Sequence, residues 1–206
     1  MGVKFRIAVL ASTRGTDLQA IIDAQKKGVL LAEIACVACD RPCLALDRAK
    51  EQGVESFLVD KKQFASREEF DGKILEILQA HRVQLVCLAG YMRILSPLFV
   101  RSFPNRIVNV HPSLLPAFAG GMDAGVHAAV LKAGVPETGC TFHLVDEGTD
   151  TGAIILQEKV PVLSGDTPQT LKERVQEAEK RLYPRVINLF AQNKVKAGGN
   201  KVTILQ

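Results

Sequence analysis

The chain has 206 residues, 47% apolar and 23% charged, with a net charge of +4. That is an ordinary globular composition, which excludes a disordered chain and predicts one α/β domain over residues 1–206. No run approaches the roughly 20 apolar residues that cross a bilayer, no leader pattern opens the chain, and no Lys/Arg cluster is interleaved with aromatics, so a cytosolic protein without membrane or nucleic-acid partners is expected.

The elements alternate from the start. Ile7-Ala8-Val9-Leu10 is a short apolar run, read as a buried strand. The turn Ser12-Thr13-Arg14-Gly15-Thr16-Asp17 follows it, and Leu18, Ile21 and Ile22 then recur at helical spacing as far as Gly28. A strand near 33–39, a helix near 43–52 and a strand over 56–59 come next. Ser66 and Glu69 form a capping-box pattern for a helix carrying Phe70, Ile74, Ile77 and Leu78 on one face. Apolar strands follow at 85–89 and 107–110. Fully apolar strands separated by helices predict a parallel sheet covered on both faces.

The second half changes character. Strands at 140–145 and 153–162 are joined by the turn-rich Asp146-Glu147-Gly148-Thr149-Asp150-Thr151-Gly152, a link short enough for antiparallel pairing. Thr167-Pro168 opens a long helix with Leu171, Val175, Ala178 and Leu182 on one side and Pro184 as a kink point. A last edge strand is expected at 202–205. The fold class is therefore a Rossmann-like, mixed but mostly parallel sheet with helices on both faces.

Five cysteines, an odd number, argue against a disulfide framework. Cys36, Cys39 and Cys43 have suggestive spacing for a metal. However, Cys36 and Cys39 lie three apart in a strand and point to opposite faces, whereas a metal needs converging thiolates. No metal is expected.

Open parallel sheets place ligands beyond the carboxyl ends of their strands, and three segments meet there. The first is the turn at Gly15, Thr16 and Asp17, whose amides at a helix N-terminus attract anions. A carboxylate at Asp17 would repel a phosphate, so binding there would use main-chain N–H groups. The alternative is a plain strand–helix turn capped by Thr16 or Asp17. The second segment is Gly90-Tyr91-Met92-Arg93-Ile94-Leu95, past the fourth strand, or a loop that merely tucks its apolar residues under the domain. The third is Asn109-Val110-His111-Pro112-Ser113-Leu114-Leu115-Pro116. Asn109 and His111, two apart in extended chain, face the same side, and Pro112 keeps His111 out of helical geometry. A His can move protons near neutral pH, and an Asn amide can donate to a developing oxyanion. Asp150 reads alone as a turn residue. His143 reads as structural, His81 as solvated at a helix end, and His127 as a weak candidate.

Together these segments resemble the glycinamide ribonucleotide transformylase family over nearly the whole chain. The run from Asn109 to Pro116 is similar to its catalytic signature. Leu88-Ala89-Gly90-Tyr91-Met92-Arg93-Ile94-Leu95-Ser96-Pro97 resembles its folate loop, and the 146–152 segment its aspartate loop. The resemblance implies that Asn109 polarises the formyl oxygen, that His111 is the general acid/base, and that Asp150 holds the imidazole. It implies that Gly15, Thr16 and Asp17 bind the ribonucleotide phosphate, with Gln176 and Glu179 completing that site. Arg67, Asn109 and the stretch Met92, Arg93, Ile94 and Leu95 would contact 10-formyltetrahydrofolate, the formyl donor. The implied partners are these two small molecules, and a homodimer is compatible with the sequence. Asp17 stands where the family more often has Asn, and Thr13 where Gly is frequent. The 117–126 stretch, with Gly120-Gly121-Met122-Asp123, is longer than in the best-known members.

Three alternatives remain at this point. A methionyl-tRNA formyltransferase would carry a further C-terminal domain, while only residues 168–206 follow Thr167 here. A formyltetrahydrofolate hydrolase would carry an N-terminal regulatory domain, while the first strand here starts by Phe5. A non-catalytic nucleotide-binding module would have no need of Asn109, His111 and Asp150 together.

Overall fold

The computed structural model describes residues 4–121, 124–199 and 201–206. Five parallel strands come first: β1 (Phe5–Ala11), β2 (Ala32–Cys39), β3 (Ser56–Leu58), β4 (Leu85–Leu88) and β5 (Ile107–His111). Two antiparallel strands, β6 (Glu137–Leu144) and β7 (Ile154–Pro161), complete a seven-stranded sheet in the order β3-β2-β1-β4-β5-β6-β7. The chain moves outward from β1 through β2 to β3, then returns to place β4 on the other side of β1. That reversal opens a crevice at the carboxyl ends of β1 and β4.

Helices cover both faces. On one lie α1 (Thr16–Lys26), α2 (Leu44–Glu51), α5 (Ala124–Ala133) and α6 (Pro168–Ala191), packed on the alternate strand residues Ile7, Val9, Val37, Cys87 and Val108. On the other lie α3 (Arg67–Ala80) and α4 (Pro97–Ser102), packed on Ala8, Leu10, Cys36, Val86 and Ile107. Cys36 and Cys39 thus belong to opposite faces, as period-two alternation requires.

Local signals explain the boundaries. Ser66 accepts from the Glu69 amide at the start of α3, while the Glu69 carboxylate takes the Ala65 amide, one residue before the cap. Thr167 and Thr170 form a reciprocal capping box for α6, with Pro168 in its first turn. The helix continues through Pro184 for 24 residues because its buried face, including Val175, Tyr183, Val186 and Phe190, is held against the sheet. The Tyr183 ring meets Phe142 edge-on at 4.9 Å, and its hydroxyl donates to the Leu88 carbonyl at 2.7 Å.

Two expectations need correction. The last strand, β9 (Lys201–Ile204), is not an edge of the main sheet; it pairs with β8 (Val195–Gly198) in a separate two-stranded ribbon. His81 is not solvated: its ring lies edge-on to Phe57, Nδ1 bonds the Ile77 carbonyl at 2.7 Å, and Nε2 lies 3.0 Å from Glu55. No clear local pattern marks α4, α5 and β8. Two of these are short, and α5 is too uniformly apolar to show a polar face.

Candidate active site

A cleft of about 950 Å³ opens over the switch point. Its first wall is the turn after β1. Gly15 is the N-cap of α1 in the left-handed region, φ 69°, and supplies no side-chain cap. The first-turn amides at Thr16 and Asp17 therefore keep no side-chain partner at the cap and are disposed toward an anion. The cap is thus Gly15 rather than Thr16 or Asp17. A Cβ at Gly15 would fall 2.8 Å from the Cα of Ala45, so glycine is needed here both for its dihedral and for its close approach to α2. Thr16 and Asp17 line the cleft, whereas Gly15 does not and lies against Ala45 of α2.

The second wall is the loop after β4. Ser12 ties the two walls together: its amide donates to the Gly90 carbonyl at 3.1 Å, and its hydroxyl accepts from the Met92 amide at 3.0 Å. Asp71 on α3 accepts from the Ser96 amide at 2.6 Å and fixes the far end of the loop. Tyr91 and Leu95 turn into the core, while Ile94 remains 61% exposed. The Arg93 guanidinium lies 4.5 Å over the Phe70 ring. The loop thus does both things the sequence allowed. Met92, Arg93, Ile94 and Leu95 line the cleft together with Arg67, and alternate apolar residues anchor it.

The third wall carries the polar centre. Asn109 and His111 face the cleft from β5. His111 is 3% exposed at the side chain; its Nδ1 lies 3.1 Å from Asp150 Oδ2 and its Nε2 3.0 Å from the Phe118 carbonyl. Both ring nitrogens face acceptors, an arrangement that only the doubly protonated ring satisfies in full. Asp150 also accepts from the Gly120 amide at 2.9 Å. Burial would raise its pKa, but hydrogen bonds from His111 and the Gly120 amide outweigh it and hold the carboxyl well below the usual carboxylate range.

Because β6 runs antiparallel to β5, its C-terminal end lies beside the start of β5, where Val145 donates to the Ile107 carbonyl. The 145–153 segment must therefore fold back to bring Asp150 to His111. Asp146 braces that fold by accepting from the Gly148 amide at 3.0 Å and the Thr151 hydroxyl at 2.7 Å. Asp150 itself sits at φ 56°, a conformation an Asp tolerates better than most side chains.

His143 departs from the structural role expected of it. In register opposite Asn109, it places Nε2 3.1 Å from the Asn109 amide nitrogen and 3.5 Å from Asp150 Oδ1. Its Nδ1 faces the Leu144 carbonyl at 2.9 Å. With the proton on Nδ1, Nε2 accepts one Asn109 N–H, and the second N–H of that amide is left for an oxygen in the cleft. Sequence gave no signal for this, since only strand register sets residues 109 and 143 side by side.

The last wall is α6, where Gln176 and Glu179 line the cleft. His127, 1% exposed, lines it from α5. Of the 117–126 loop, Met122 and Asp123 lie outside the described residues. All the sequence-derived site residues except Gly15 therefore line one cleft. Cys43 lines it as well. Cys36 and Cys39 do not, and no cluster of metal-ligating side chains is present among the described residues.

The formyl transferase family profile matches residues 5–187. The chain is 47% identical to the trifunctional purine biosynthetic protein adenosine-3 of Gallus gallus, over 95% of this chain but 19% of that protein; it spans about a fifth of the length of that relative. It is 40% identical to the phosphoribosylglycinamide formyltransferase of Haemophilus influenzae, over 95% of this chain and 91% of that one. Among solved structures, glycinamide ribonucleotide transformylase 1 from Symbiobacterium toebii superposes with a TM-score of 0.95 at 45% identity, covering 100% of this chain and 96% of that one. By the matched profile and by these relatives, the chain belongs to the formyl transferase family.

Proposed function

We propose that this protein moves a formyl group from 10-formyltetrahydrofolate to the glycyl amine of glycinamide ribonucleotide, a step of purine synthesis. The observation that carries the reading is the placement of His111, held between Asp150 and the Phe118 carbonyl beside Asn109, in a cleft that ends at an uncapped helix N-terminus. About 950 Å³ is at the upper end of the range for single-ligand sites and suits two substrates meeting. The apolar wall from Leu88 to Leu95 and Val145 suits the flat ring of the folate, with Arg67 near its anionic tail. The phosphate belongs at the amides of Thr16 and Asp17, and the ribose beside Gln176 and Glu179.

In this reading the amine attacks the formyl carbon, and negative charge develops on the formyl oxygen. The free N–H of Asn109 and the protonated ring of His111 stabilise that charge. As the bond from the formyl carbon to the folate nitrogen breaks, His111 gives its proton to that nitrogen, and the neutral ring then takes the proton the attacking amine gives up, which restores the starting state. Asp150 keeps the ring oriented and charged. Residues 1–206 act as one formyltransferase unit in the cytosol, and the chemistry asks for no metal.

The test is turnover by purified protein with both substrates, the formylated ribonucleotide being followed by mass spectrometry. Formylated ribonucleotide is expected only when both are present. Formate release without ribonucleotide would instead indicate a hydrolase, and formylated methionyl-tRNA a tRNA enzyme. Binding without any turnover would leave a nucleotide-binding module.

A further inference from the structure

The ribonucleotide end of the cleft contains a carboxyl group that the mechanism leaves without a task. Asp17, in the first turn of α1, is only 7% exposed, and its Oδ1 is buried without a hydrogen-bond partner. It lines the cleft together with Glu179, itself 5% exposed, on the facing helix α6. Both carboxyls act electrostatically on the same two neighbours, the Tyr183 hydroxyl and the Cys140 thiol. Two carboxylates in one dry corner beneath a phosphate would place like charges together at low dielectric.

We propose that Asp17 is a protonation-gated specificity residue: as a neutral carboxylic acid it admits a phosphomonoester dianion at the N-terminus of α1, and as a carboxylate it repels it. The proposal rests on the ribonucleotide reading above and adds its pH response. Three features of the site support it. The α1 amides and helix dipole attract anions, so an ionised Asp17 competes with the phosphate for the same positive end. The buried, unpartnered oxygen has lost its water without gaining a donor, which disfavours the charged form. Lys180, the cation that acts on Asp17, does not compensate for the burial. From α6, Lys180 favours ionisation, Lys172 and Glu179 line the same cleft, and Tyr183 is neutral. β6 presents Cys140 and α5 presents His127. On α2, Arg48 donates to the Arg14 carbonyl and to Gln19. Burial consequently prevails over Lys180 and pushes the Asp17 pKa from 3.8 up to about 7.

The experiment is titration calorimetry of the full chain with glycinamide ribonucleotide and, separately, ribose 5-phosphate, from about one unit below neutrality to about two units above it. Wild type and Asp17→Asn are compared, so that ionisation of the ligand's own phosphate cancels. Wild-type affinity is expected to fall, relative to Asp17→Asn, by up to roughly tenfold per pH unit above neutrality, because only the protonated fraction binds. Below neutrality the two proteins should bind alike. Parallel profiles at all pH values overturn the gate, as does failure of both ligands to bind wild type below neutrality. Should ribose 5-phosphate show the pH response and glycinamide ribonucleotide not bind, the gate stands and the substrate reading fails. A carbon-13 NMR titration of the Asp17 carboxyl in wild type needs no variant. A midpoint near neutrality that rises when ribose 5-phosphate binds is expected, and a midpoint unmoved by the ligand overturns the proposal.

Discussion

Two aspartates at opposite ends of one cleft have opposite acidities. Asp17 and Asp150 are both largely withdrawn from water, at 7% exposure for the residue and 12% for the side chain respectively. Burial alone would raise both pKa values. Asp150 receives His111 and the Gly120 amide, and it is held well below the usual carboxylate range. Asp17 has a buried oxygen with no donor and Lys180 as the one charge that lowers its pKa, and is pushed up to about 7. Burial makes a carboxyl sensitive to its surroundings, and the donors decide the direction. One carboxyl is thereby held ionised beside His111, and the other is left responsive to pH near neutrality.

The strongest way to break this comparison is at Asp150. Asp150→Asn keeps the shape and removes the charge that orients His111. Turnover should fall by roughly two to four powers of ten, the usual scale of acid–base assistance, with ribonucleotide affinity little changed. The His111 NMR titration should move to lower pH in the variant. If that titration stays put while activity is lost, Asp150 acts on substrate or water and not through the imidazole. The native carboxylate also stabilises the fold above its ordinary pKa of 3.8, and that contribution is lost as pH falls toward its depressed value.

The converse change at Asp17 should help the fold. A carboxyl whose pKa is raised on folding stabilises most below 3.8, and loses that contribution as pH rises to about 7. Asp17→Asn should therefore be more stable than wild type by a margin that grows between these two values and is constant above, reaching about 4 kcal/mol at most. Urea denaturation at acidic and alkaline pH measures it. A margin independent of pH would mean that Asp17 is ionised throughout and finds compensation elsewhere.

The smallest of these effects sharpens the phosphate end. Gly15→Ala must place a Cβ 2.8 Å from the Ala45 backbone at φ 69°, at a cost of about 1–3 kcal/mol. The melting temperature should drop, and ribonucleotide affinity should weaken as the α1 amides shift. Unchanged affinity in a destabilised variant would place the phosphate away from those amides.

Much of this protein was legible in its sequence, for identifiable reasons. Apolar runs such as Ile7–Leu10 and the caps at Ser66 and Thr167 are local, so strands, helices and their alternation followed from neighbouring residues. The pair Asn109 and His111 was legible too, because strand period puts residues two apart on one side. The resemblance of three ordered segments then implied which residues share a cleft.

Tertiary structure alone decided the rest. His143 joins the centre because β6 pairs antiparallel with β5 in one register, and no local pattern encodes register across 34 residues. Asp150 reaches His111 because the 145–153 loop folds back, braced by Asp146. The terminal strand left the main sheet for a ribbon because β8 offered it a nearer partner. The acidity of Asp17 depends on what α6 and β6 place around it. Sequence fixes which groups can ionise, but desolvation and donor geometry are sums over distant neighbours, and only the folded chain assembles them.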